Sequence, residues 1–68
     1  MIQELDCVAL IEDLPALGLK KGDIGTAVMV YNEGEAYEVE FVTKKGETLA
    51  LTTLFASQIC PTVEGERS

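Results

Sequence analysis

The chain has 68 residues, 47% of them hydrophobic, so it is one domain with apolar content for a core, and disorder is excluded. Twelve acidic and five basic residues give a net charge of −7, which opposes binding to nucleic-acid phosphates and to anionic membranes. With no histidine and only two cysteines, a four-ligand zinc site and a His-activated nucleophile are both excluded.

In chain order, Met1-Ile2-Gln3-Glu4-Leu5-Asp6 lacks the basic start and apolar centre of a signal peptide, and no run nears the ~20 apolar residues of a membrane span. A cytoplasmic location is expected. Cys7-Val8-Ala9-Leu10-Ile11 reads as a first, buried strand. The stretch Glu12 to Lys21 reads as a long loop, interrupted by Pro15 and folded back on the domain by Leu14, Leu17 and Leu19. Gly22-Asp23-Ile24-Gly25 reads as a tight turn. Gly22 and Gly25 would supply positive φ there, and Asp23 would accept backbone N–H bonds.

A second strand, about Thr26 to Tyr31, is apolar on both parities. It is either covered on both sides or switched between faces by a bulge. Asn32-Glu33-Gly34-Glu35 is hairpin chemistry. The third strand alternates cleanly, with Tyr37, Val39 and Phe41 facing in and Glu38 and Glu40 facing out. Lys44-Lys45-Gly46-Glu47 forms the next hairpin turn. Strand four, Thr48 to Thr52, is expected to turn Leu49 and Leu51 inward. Leu54 to Gln58 suits one helical turn, and Ile59-Cys60-Pro61 a short last strand that stops at the proline. Residues 1–62 are then the domain and 63–68 a polar tail. This order predicts an all-β fold, a small SH3-like barrel of about five strands with one helical turn before the last.

Gly22-Asp23-Ile24-Gly25-Thr26-Ala27-Val28 and Tyr37-Glu38-Val39-Glu40-Phe41 resemble a family of uncharacterised short bacterial proteins. Its signatures are Gly-Asp-x-Gly-Thr-Val-Val and Tyr-Glu-Val-Glu-Phe, and this chain departs from the first at Ala27. Leu5-Asp6, Glu12-Asp13-Leu14-Pro15 and Ala56-Ser57-Gln58 are also similar to the family, which carries no established activity. The Gly22 to Gly25 turn resembles, more loosely, the KOW motif, an SH3-like barrel that contacts RNA or protein. The basic residues that would hold RNA are mostly missing here, so no nucleic acid is expected as a partner.

The candidate binding residues are Tyr31, Glu33, Glu35, Glu38, Glu40 and Val42, around the first hairpin and along strand three. Tyr31 and Tyr37 flank that hairpin, as aromatics line a peptide groove, although Tyr37 suits the core. The glutamates form either a docking face for a basic protein or a solvated face that maintains solubility. They lack the interleaved spacing of a calcium loop, and no metal or cofactor is expected. Asp6, Glu12 and Asp13 sit in no acid–base arrangement. Cys7 and Cys60, on first and last strands, admit three readings: a disulfide, two small buried or half-buried thiols, or reactive thiols, for which no basic activator is evident.

The expected function is therefore a non-enzymatic protein-interaction module. The alternatives are an antitoxin or immunity-type inhibitor with an acidic face, or a structural subunit of an assembly. A weak homodimer is also expected, because one small barrel cannot cover all of Val28, Met29, Val30 and Val42.

Overall fold

A computed structural model describes residues 2–43 and 45–62. Among them are strands β1 (Cys7–Leu10), β2 (Ile24–Tyr31), β3 (Ala36–Val42), β4 (Thr48–Phe55) and β5 (Ile59–Pro61), with short 3₁₀ turns at Pro15–Leu17 and Ala56–Gln58. All pairings are antiparallel and join one sheet in the order β4-β3-β2-β1-β5. The fold is all-β. Lys44 of the second hairpin turn and the expected tail, 63–68, lie outside the described residues.

The turns follow local chemistry. Asn32, Glu33 and Gly34 all take positive φ (49°, 59° and 108°), and the N–H groups of Gly34 and Glu35 both donate to Tyr31 O. Gly22 sits at φ 95°, and Asp23 Oδ2 accepts from the backbone N–H of Lys20 at 2.9 Å. Asp13 and Asp6 act likewise, accepting from the N–H groups of Lys21 and Gln3, each at 2.8 Å. The aspartates are thus occupied in shaping loops. The long loop closes through the Leu14↔Leu19 bridge. Leu19 is buried and Leu14 packs against the core, but Leu17, expected to anchor the loop, is exposed because it ends the 3₁₀ turn on the solvent side.

Gly25 corrects the sequence expectation. It lies inside β2, opposite Val8, and its φ is outside the left-handed region. Glycine is required there for space. A Cβ would stand 2.8 Å from Phe41 Cε1 and 2.8 Å from Val39 Cγ1, both in the core. The apolar parities of β2 resolve by the bulge: the register with β3 shifts between Ala27 and Met29, inserting Val28. Ala27 is then buried before the bulge, and Met29 exposed after it.

The core comprises Ile2, Val8, Leu10, Leu19, Ala27, Tyr37, Val39, Phe41, Leu54 and Ile59. Tyr37, Val39 and Phe41 face inward as their alternation requires. Leu49 and Leu51 do not: each is 56% exposed. The register sets Phe41 opposite Ala50, Val39 opposite Thr52 and Tyr37 opposite Leu54. The inward parity of β4 is therefore Ala50, Thr52 and Leu54. The bulky ring of Phe41 lies between Gly25 on one side and Ala50 on the other, so the row needs small neighbours and leaves no room for an inward leucine. β4 also runs on to Phe55, so the helical turn starts at Ala56 and not at Leu54.

Candidate protein-docking face

The clean alternation of β3 places Glu38, Glu40 and Val42 on the face opposite the core. Tyr31 shares that face, since its hydroxyl donates to Glu38 Oε1 at 3.3 Å. Cross-strand pairing adds Met29 opposite Glu38, and Leu51 opposite Glu40. Phe55 continues the same parity of β4. Exposure is high for large apolar side chains: Met29 50%, Val42 49%, Leu51 56% and Phe55 66%. One sheet face thus carries two central carboxylates bordered by apolar groups.

The carboxylates are held by hydroxyls. Glu38 Oε1 accepts from Thr53 Oγ1 at 2.6 Å as well as from Tyr31, and Glu40 Oε2 accepts from Thr48 Oγ1 at 2.8 Å. Among the described residues, no lysine pairs with either. The hydroxyls orient the two charges without neutralising them. Glu33 and Glu35 stand apart, in the β2–β3 turn, where Glu35 Oε1 accepts from Asn32 Nδ2 at 3.1 Å.

Tyr31 titrates above its ordinary value of 10.0, through partial desolvation first, then the charge of Glu38 and the hydrogen bond to it. The raised value means that the contact stabilises the fold fully below pH ~10 and is lost as pH rises through the folded-state value. Glu38→Gln should lower the midpoint of the Tyr31 ring resonances in an NMR titration toward 10. An unchanged midpoint would show that Tyr31 does not sense Glu38.

Met29 was expected to be exposed only as part of a self-association surface, Leu51 was expected to face inward, and Phe55 was not singled out by sequence reasoning. The outward parity of β3 was a usable signal, but their positions depended on the β2 bulge and on the parity of β4. An open depression of about 190 Å³, lined by Leu19, Asp23, Ile24, Phe41, Val42 and Leu49, lies at one end of the sheet. It falls below the roughly 300–1,000 Å³ of small-molecule sites. Cys60 pairs with Ala9, not Cys7, and both thiols are free. Among the described residues, no group of acidic or cysteine side chains is placed to hold a metal, and no helix is long and apolar enough to cross a membrane.

Comparison with curated proteins and with solved structures gives no match. A family model described as a domain of unknown function, DUF4926, matches residues 4–61 and so nearly the whole chain, which belongs to this family.

Proposed function

We propose that this domain is a non-enzymatic, cytoplasmic protein-interaction module, and that the outer face of β2–β3–β4 docks a protein partner with a basic contact surface. One observation carries the reading: Glu38 and Glu40 are held by hydroxyls, carry no lysine partner among the described residues, and lie among exposed Met29, Val42, Leu51 and Phe55. Exposed apolar side chains of this size can anchor a partner, and a carboxylate pair among them, unlike the charge-depleted centre of most interfaces, requires cationic groups opposite it once water is excluded. With no lysine partner among the described residues, the pair selects a cationic partner and repels acidic ones. The strand order and the 3₁₀ turn before β5 support reading the sheet as an SH3-like barrel. The same acidic face also favours, within this class, an inhibitor that covers the basic substrate site of its target.

The test uses three baits: the native chain, Glu38→Lys/Glu40→Lys, and the charge-matched control Glu4→Lys/Glu47→Lys. A partner captured by the first should be identified, purified and titrated against all three. The face variant should bind at least about tenfold more weakly, whereas the control should retain most of the affinity. Equal weakening by both variants would reduce the effect to net charge and refute the face.

A further inference from the structure

We infer that β4 is an open strand-addition edge at which a second copy of this chain pairs in antiparallel register. β4 ends the sheet, with β3 on one side and no strand on the other among the described residues. Natural sheets blunt such edges with charge, proline or brevity. The opposite edge obeys this: β5 has three residues and ends on Pro61. β4 does not. Its eight residues, Thr-Leu-Ala-Leu-Thr-Thr-Leu-Phe, include no charge and no proline.

The available hydrogen-bonding groups can be assigned. Ala56 N donates to Glu35 O at 3.1 Å, one step beyond the Ala36↔Phe55 pair. Antiparallel alternation from that bond turns Ala50, Thr52 and Leu54 toward β3 and points the N–H and C=O of Leu51 and Thr53 away from the sheet. Phe55 N also points away, and it is taken by Gln58 Oε1 at 2.8 Å. This bond closes one end of the free edge. With the two-fold axis at Thr52, Leu51 exchanges both backbone bonds with Thr53 of the second copy.

Charge decides the occupant. Each chain carries −7, so most self-contacts oppose acid to acid. Stacking the outer faces would bring Glu38 and Glu40 onto their counterparts. Edge pairing instead keeps the β3 glutamates of the two copies three strand spacings apart, about 14 Å. That exceeds the screening length of about 8 Å at physiological ionic strength. An uncharged edge is the surface on which this acidic chain tolerates its own copy. The inference is independent of the docking reading, since pairing leaves both outer faces open, side by side on one continuous sheet.

Sedimentation of the native chain at about 100 μM tests association, because a dimer's population depends on concentration. The mass should rise above 7.4 kDa, and rise further when salt goes from about 0.15 M to about 0.5 M. Amide exchange should slow with concentration at Leu51 and Thr53 but not at Met29. Thr53→Pro removes an outward backbone donor and leaves the backbone ladder with β3 in place, at the loss of the Thr53 hydroxyl bond to Glu38, and should remain monomeric while folded by circular dichroism. If that variant does not fold, the exchange pattern of the native chain decides. A 7.4 kDa species at both salts, a dimer with Leu51 and Thr53 exchanging as in the monomer, or unaltered dimerisation of folded Thr53→Pro would each overturn the inference.

Discussion

Phe41→Ala should lose about 3–5 kcal/mol, the cost of emptying a buried aromatic site. Phe41 is 2% exposed and fills the inner surface between β2 and β4. A chain of 68 residues has on the order of 3–10 kcal/mol in total, so the variant should be largely unfolded or melt at least about 12 °C lower. Leu51→Ala is the comparison. Although Leu51 belongs to the neighbouring strand and is also large and apolar, it is on the outer face, and its truncation should cost no more than about 0.5 kcal/mol. Thermal melts of the two variants check the register directly. Equal losses would put both side chains in the core and contradict it.

Gly25→Ala should cost about 1–3 kcal/mol, and Gly25→Val more, by overpacking the core. The cause is the approach of Phe41 and Val39 to the missing Cβ, at 2.8 Å each, and not backbone strain. Shrinking the obstacle should therefore help. In a double-mutant cycle, Gly25→Ala combined with Phe41→Leu should be less destabilised than the sum of the single changes. Strict additivity in denaturant melts would remove Phe41 as the reason for glycine at this position.

The sequence was most readable where period-2 alternation is unbroken. Tyr37 to Phe41 disclosed both its inner and its outer side, and with the outer side came Glu38 and Glu40. Gly25 was recognisable as a constrained position, but its reason was not: a turn glycine and a close-packing glycine look alike until Phe41 is placed over it. β4 misled because Leu51 lies on the outward parity and Leu49 is inserted at the register shift between Ala50 and Thr48, both exposed, while Ala50 and Thr52 face in. Only the size of Phe41, opposite Ala50, explains that choice, and it acts across strands. The candidate face was half legible for the same reason. Its carboxylates belong to the regular strand. Its apolar border depends on a bulge at Val28 and on the parity of β4, both tertiary consequences.

A docking face on β2–β3–β4 can be mapped by titrating the purified captured partner into isotope-labelled protein and following amide shifts by NMR. The largest changes should cluster on Met29, Tyr31, Glu38, Glu40, Leu51 and Phe55, and should weaken as salt is raised. Changes confined to the Glu12–Lys21 loop or to β1 and β5, with the outer face unmoved, would contradict it.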